Sequence, residues 1–454
     1  MMLWHPSISH IQRKPKAGLK AFTVPPLALS VSFLLLIVCG TALLKLPLST
    51  HQPITWFDSL FTATSAVTVT GLVVVDTGTE FTLFGQMIIA LLIQCGGLGL
   101  MTFAIVTLMA LGGKIGFLER SIAREAFNQT DTSTIVSTAK SVIIFALLIE
   151  SIGMVTLSWY WSSELGWKTS LFHGFFYTIS AFNNAGFALS SDSLIPYVDD
   201  PVVNVTITGL FIAGGLGFSV WMDLKRHRTW SKLTVYSRMM IIGTVIVNCV
   251  ALVAIYLIEY DNPNTLAPLS EAGKWWAAWF QAVTPRTAGF NTLAIDQLED
   301  ATTAIMLLLM FIGGGSMSTA SGVKVVTVMV LVLATYSYLK RDEQVCMFKR
   351  EIARETIIKS LALTTISASV IWLAIFSLLL SEDAPLIDVV FEAVSALGTV
   401  GLSRGLTGQL SPVGESVIIG MMFIGRLGPL TLAYFLAMPR QRKVRYAETK
   451  LAIG

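Results

Sequence analysis

The chain has 454 residues, 54% hydrophobic and only 13% charged, with a net charge of +3 and a mean hydropathy of +0.70. Soluble domains carry about 25% charged residues, so this composition excludes an ordinary soluble globule. Long continuous apolar runs also exclude a β-barrel, whose strands alternate in segments of about ten residues. They predict an all-α integral membrane protein. The start is polar and basic, the first apolar run begins near Thr23, and no cleavable signal peptide is expected. Cys39, Cys95, Cys249 and Cys346 have no metal-ligand spacing; they read as packing residues without a disulfide.

In chain order, a basic tail over residues 1–21 leads into an apolar run over 22–47. A short amphipathic stretch, DSLFTATSAVTVTGL, follows, then a second long run over 82–111. The plan repeats three times. Runs over 137–162 and 202–224 flank HGFFYTISAFNNAGF. Runs over 237–259 and 301–339 flank WAAWFQAVTPRTAGF. Runs over 357–381 and 413–438 flank DVVFEAVSALGTVGL. Each short stretch has about ten residues before its glycine, half of the ~20 that a spanning helix needs.

The four stretches align on Gly71, Gly186, Gly289 and Gly401. Ten positions upstream stand the aromatic residues Phe61, Phe176, Trp279 and Phe391. Six upstream stand Ser65, Ser180, Val283 and Ser395, and one downstream Leu72, Phe187, Phe290 and Leu402. The following runs align as well, through GGLG at Gly96, GGLG at Gly214, GGGS at Gly313 and GRLG at Gly425. Repetition at this period predicts one fold unit used four times. The units span 22–112, 113–224, 225–339 and 340–438, with a tail over 439–454.

Charge sets the orientation. Of the 31 Lys and Arg, 24 fall in five clusters: Arg13 to Lys20, Lys114 to Lys140, Lys225 to Arg238, Lys340 to Lys359 and Arg440 to Lys450. The positive-inside rule places all five, and both termini, in the cytoplasm. The opposite loops carry Asp76, Glu80, Asp192, Asp199, Asp200, Asp296, Glu299, Asp300, Glu382 and Asp383. An acidic outer face would concentrate cations; a merely soluble surface explains the same charges.

Irregular backbone at membrane depth is tolerated only inside protein or along a wet cavity. Each unit therefore reads as helix, re-entrant half-helix, extended turn, helix. Four such units make eight spans and four re-entrant pore loops around one pore. Their glycine-ending turns would form a ring whose backbone carbonyls replace the hydration shell of a cation. The bland alternative is four glycine-kinked helices in tight packing.

TVTG, NNAGF, TAGF and TVGL, each after a short aromatic-containing helix, resemble the Trk/Ktr/HKT superfamily of potassium transporters over about Thr23 to Met438. The chain is similar to the membrane subunit of a bacterial Ktr system, and its stretch SAVTVTGL resembles in particular the sodium-dependent members. The resemblance implies four M1–pore helix–M2 units and a homodimer with one pore per subunit, in the bacterial inner membrane. It implies potassium bound by carbonyls at Val69, Thr70 and Gly71, Asn184, Ala185 and Gly186, Thr287, Ala288 and Gly289, and Thr399, Val400 and Gly401. Sodium would be an activator or co-substrate. It further implies a cytosolic ring of nucleotide-binding regulatory subunits, docked on the basic loops 225–238 and 340–359. The same loops could equally contact anionic lipid.

Residues 313–324 read GGGSMSTASGVK and interrupt a run of 39 residues, too long for one straight helix. Gly313, Gly314, Gly315, Ser316, Ser318, Thr319, Ser321 and Gly322 can line water and move. The resemblance places a gating loop there; a glycine-rich packing kink is the alternative. Lys324 is expected to hold this loop through an acidic or carbonyl partner. Arg426 stands where the other units have Gly97, Gly215 and Gly314. An intramembrane arginine is a functional candidate. It would partner the gating loop and oppose cation entry, or bond helix-end carbonyls of a neighbouring unit. Arg286 is expected to brace its pore helix, with Glu392 as a candidate counterpart.

No glycine loop lies in a strand–helix context, so no nucleotide is expected on this chain, nor any nucleic-acid partner. No HExxH or GxSxG occurs, which argues against an intramembrane enzyme. A coupled secondary symporter predicts two inverted repeats, whereas these four share one orientation. An anion pore conflicts with the acidic outer loops.

Overall fold

The computed structural model describes residues 25–99, 135–316, 318–342 and 344–428. Both predicted tails, the basic residues Lys114, Arg120 and Arg124, and the ends of the runs over 82–111 and 413–438 lie outside the described residues.

The first unit holds α1 (Pro25–Leu44), α2 (Trp56–Thr68) and α3 (Leu83–Gly97). The second holds α4 (Ile135–Phe182), α5 (Pro201–Leu216) and α6 (Phe218–Arg226). The third holds α7 (Val235–Glu259), α8 (Glu271–Val283), α9 (Asp300–Phe311) and α10 (Val325–Lys340). A two-residue hairpin, β1 (Cys346–Met347) with β2 (Arg350–Glu351), precedes α11 (Arg354–Ser381), α12 (Leu386–Gly398) and α13 (Pro412–Leu427).

Each short stretch becomes a half-length helix: α2, α8 and α12 have 13 residues, and the second part of α4 begins after a break at Gly166 (φ 74°, ψ 154°). A capping box starts α2. Thr55 Oγ1 accepts from the Asp58 amide at 3.0 Å, and Asp58 Oδ2 accepts from the Thr55 amide at 2.8 Å. Ser270 caps α8 by accepting from the Gly273 amide at 3.1 Å.

The packing is cyclic. Helix α3 of the first unit packs on α4, α5 on α8, α9 on α12, and α13 of the fourth unit closes back on α2. Each unit's second helix thus supports the next unit's half-helix. Polarity is inverted relative to a soluble protein. The buried side of α2 carries Ser59, Thr62, Thr64, Ser65 and Thr68, while α1, α4, α7 and α11 expose Leu35, Val155, Leu257 and Leu380. Large apolar faces turned outward suit a hydrocarbon surround. Cys39 and Cys249 lie on these exposed faces, so only Cys95 of the apolar-run cysteines is buried, which corrects the packing role expected for the other two.

Among the described residues, α7, α11 and the part of α4 from Lys140 are long and apolar enough to cross a membrane. The pair α5–α6 makes a fourth if taken together, but it bends by 87°. The run over 202–224, expected to be continuous, breaks at Gly217 (φ 94°). The run over 301–339 is split into α9 and α10 by the loop at 313–324, as its length requires.

Candidate functional site

All four half-helices run into a left-handed residue at one register, although the third is closed by the Ala288 amide donating to the Thr284 carbonyl. Val69, Asn184, Thr287 and Thr399, each two residues before the reference glycine, adopt φ of 56°, 59°, 68° and 48°. In the first unit the Val69 amide donates to the Ala66 carbonyl at 3.2 Å and the Thr70 amide to the Ser65 carbonyl at 2.8 Å. The second and fourth units match, with Asn184 to Ala181 and Ala185 to Ser180, and Thr399 to Ala396 and Val400 to Ser395. This is a Schellman ending, usually built on glycine. Three of the four residues are β-branched, for which a left-handed conformation is strained by about 1–3 kcal/mol. Such strain persists where the surroundings dictate it, typically at a functional site.

The reference glycines, also at positive φ, meet in a ring. A Cβ on Gly71 would stand 2.3 Å from the Ala185 oxygen; on Gly186, 3.1 Å from the Ala288 oxygen; on Gly289, 2.5 Å from the Val400 oxygen; on Gly401, 2.2 Å from the Thr70 oxygen. Each glycine therefore lies against the preceding-residue carbonyl of the next unit, and the order closes after four. Only glycine fits. Four helix C-termini end beside this ring, each carrying the equivalent of about half a negative charge. Among the described residues no group of three or more His, Cys, Asp or Glu could hold a metal. The polar groups that the ring brings together are backbone carbonyl oxygens.

On one side the ring opens into a vestibule of about 280 Å³ lined by Gly71, Gly186, Gly289 and Gly401 and by the loops that follow them. Asp76 is the charged residue in that lining. Burial pushes its carboxyl up, but hydrogen bonds from Ser191, Thr79 and Gly78 outweigh this and hold it below the usual carboxylate value. Of the wider acidic face expected from the sequence, Asp192, Asp199, Asp296, Glu299, Asp300 and Asp383 are exposed, while Asp200 and Glu382 also bond backbone amides. Asp200 caps α5 through the Val202 and Val203 amides, and Glu382 accepts from the Ser411 amide at 2.9 Å.

On the opposite side sits the loop between α9 and α10. Its ends are zipped together, with the Gly313 amide donating to the Val323 carbonyl at 2.8 Å and the Val325 amide to the Gly314 carbonyl at 3.3 Å. Gly322 takes φ of 70°. The loop touches every unit directly or through one side chain. Thr319 Oγ1 donates to Asn184 Oδ1 at 2.8 Å, and the Gly315 amide to the Gly215 carbonyl at 2.8 Å. Tyr236 on α7 accepts from the Ser316 amide at 2.7 Å. Ser318 Oγ donates to the Gly315 carbonyl at 2.7 Å.

Arg426 joins the two alternatives the sequence left open. It donates to the Thr319 carbonyl and to Ser321 Oγ in the loop, and to the Gly96 and Gly97 carbonyls at the end of α3. Lys324 finds carbonyl partners, but within its own loop: Ala320 at 2.8 Å and Ser321 at 3.4 Å. Among the described residues both of these bonds lie within the loop itself.

The expected pairing of Arg286 with Glu392 does not form. Arg286 donates to Asn248 Oδ1 at 2.8 Å and Thr244 Oγ1 at 3.3 Å, both on α7. Glu392 accepts from Ser403 Oγ at 2.9 Å and from Thr407, in the loop after Gly401. Each braces its own unit, because the side chains leave their half-helices toward different neighbours. Tyr177, at the register of Glu392, does the same work in the second unit by accepting from the Leu189 and Ser190 amides at 3.2 Å. Tyr236 and Tyr177 give no sequence signal: one stands just before an apolar run and the other is one aromatic residue among several in its short stretch. Glu150 was detectable as a lone carboxylate within the run over 137–162.

With the ring and the loop in place, the chain has the form of a membrane protein with a pathway for a small cation. It matches the TrkH family, described as "Cation transport protein", over residues 19–446, and belongs to that family. It is 46% identical to the Ktr system potassium uptake protein B of Bacillus subtilis over 430 residues, 95% of this chain and 97% of that one. It is 44% identical to the protein of the same name from Vibrio alginolyticus, covering 94% of this chain and 95% of that one. Its fold matches the crystal structure of the potassium transporter TrkH from Vibrio parahaemolyticus with a TM-score of 0.74 at 20% identity, over 94% of this chain and 87% of that chain.

Proposed function

We propose that this chain is the ion-translocating subunit of a bacterial potassium uptake system. Four M1–pore helix–M2 units, with eight crossings and four re-entrant loops, surround one pore in the inner membrane, both termini facing the cytoplasm. The carbonyls at Val69 and Thr70, Asn184 and Ala185, Thr287 and Ala288, and Thr399 and Val400 strip and hold potassium above Gly71, Gly186, Gly289 and Gly401. The loop 313–324 is the gate. Arg426 holds it shut and opposes cations below the ring. Sodium acts as activator or co-substrate. The subunit works as a homodimer on a cytosolic nucleotide-binding ring. In support of that dock, the two basic loops meet, with the Arg238 guanidinium 5.6 Å from the centre of the Phe348 ring in the turn between β1 and β2.

The observation that carries the reading is the closed ring in which each glycine lies against the next unit's carbonyl oxygen. Kinked helices in simple packing need no such set of four left-handed turns. The names of the two close relatives, potassium uptake proteins, agree with it.

The test is potassium or rubidium uptake into proteoliposomes, with and without sodium, for the parent and for Gly289→Ser. Uptake with discrimination against sodium that weakens in the variant supports the filter. Equal behaviour of parent and variant, or no cation movement under any condition, rejects it.

A further inference from the structure

The second unit carries an ionisable side chain that this pathway does not use. Glu150 lies in the membrane-length part of α4, yet is only 7% exposed. A carboxylate at that depth is costly unless its oxygens are satisfied. Gln94 on α3 donates through Nε2 to Glu150 Oε1 at 2.9 Å and to Oε2 at 3.0 Å. Asn183 Nδ2 donates to Gln94 Oε1 at 2.6 Å and to the Ile179 carbonyl at 2.9 Å, and stands 3.4 Å from Glu150 Oε1. Three side chains thus close a buried triangle, and one corner directly precedes Asn184, Ala185 and Gly186. Asn183 packs so closely on α3 that a Cβ at Gly97 would stand 2.1 Å from its Oδ1.

The same register in the other units holds Thr68, Arg286 and Gly398. Thr68 donates back into its own helix, to the Thr64 carbonyl at 2.7 Å. Arg286 reaches α7. A brace from the outer helix therefore occurs in the second and third units, and only the second ends on a carboxylate.

We propose that Glu150 is a positioning residue for cation selection, which through Gln94 and Asn183 fixes the Asn184 and Ala185 carbonyls in the ring. This rests on the reading of the ring as the filter. A carboxylate suits the task because it is acceptor-only and takes N–H groups from both amides. Glutamine at this position brings its own NH₂ against that of Gln94 and loses one bond. Alanine loses them all.

The test is rubidium uptake under sodium competition in proteoliposomes, with thermal unfolding in detergent, for Glu150→Gln, Glu150→Ala and Gly186→Ala. The expected result is a potassium-over-sodium preference reduced about tenfold in Glu150→Ala, the lower end of what losing an outer-shell partner costs at an ion site, and a smaller loss in Glu150→Gln. If Glu150→Ala does not fold, Glu150→Gln decides alone. Lower total uptake or lower melting temperature with unchanged preference assigns Glu150 to packing and overturns the proposal. If Gly186→Ala loses selectivity while the Glu150 variants keep it, this proposal fails alone. If Gly186→Ala keeps the parent's selectivity, the filter reading fails and takes this one with it.

Discussion

The Thr319 hydroxyl donates to Asn184 Oδ1 at 2.8 Å, which ties the loop between α9 and α10 to the residue that opens the second unit's turn into the ring. The Thr319 amide adds a bond to the Gly214 carbonyl at 3.3 Å. One threonine thus links the proposed gate to the proposed filter. Thr319→Val keeps the shape and removes the donor. A buried hydrogen bond is worth about 1 kcal/mol net, so the open population should rise about fivefold. Rubidium flux through proteoliposomes lacking the cytosolic partner measures this, and unchanged flux would remove the bond from gating.

Arg426 spans from the loop to the last carbonyls of α3, across two units. Arg426→Gln is too short to reach both and leaves carbonyls without a donor. Bonds to a charged group are worth about 1.5–3 kcal/mol each, so the basal flux should rise by at least about tenfold. Arg426→Lys should restore only part of the closure, because a point charge cannot fork between two carbonyl pairs. A variant that leaks no more than the parent would make Arg426 a purely structural brace.

Asp76 lines the vestibule, with its carboxyl held below the usual 3.8 by hydrogen bonds that outweigh burial. Asp76→Asn should raise the potassium concentration for half-maximal uptake about threefold at low ionic strength, and less at about 0.15 M salt, where screening acts within about 8 Å. The sign with pH follows from the lowered pKa. The charge is present above that value and lost only on acidification through it, so uptake should keep this contribution down to about pH 5. A salt-independent effect of the variant would point to the loop turn, not to the charge.

Arg286 is buried with Asn248 as its main acceptor, and among the described residues it forms no ion pair. Asn248→Leu strands the guanidinium and should destabilise the protein by about 3 kcal/mol. The double variant Asn248→Leu with Arg286→Met should recover most of that loss, since the stranded charge is removed along with its partner. Thermal unfolding in detergent reads both. Additive losses would contradict the pairing.

What the sequence determined by itself was the half-length stretch ending in glycine and its four occurrences. The spacing between each long run, its half-length stretch and its glycine is a property of one unit, and four copies make a weak signal hard to mistake. The break at 313–324 followed from length alone, because 39 residues exceed a single crossing. Only the tertiary structure decided how the units meet. Arg426 bonds carbonyls more than three hundred residues away, Glu392 turns from Arg286 to Thr407, and Glu150 finds Gln94 and Asn183 on other elements. It also placed Asp76 in the lining of the vestibule and drew Asp200 and Glu382 into bonding backbone amides near helix starts. The reason is one of range. Periodicity and chain length act within a few turns of helix, whereas side chains choose partners from whatever the cyclic packing brings within about 3 Å.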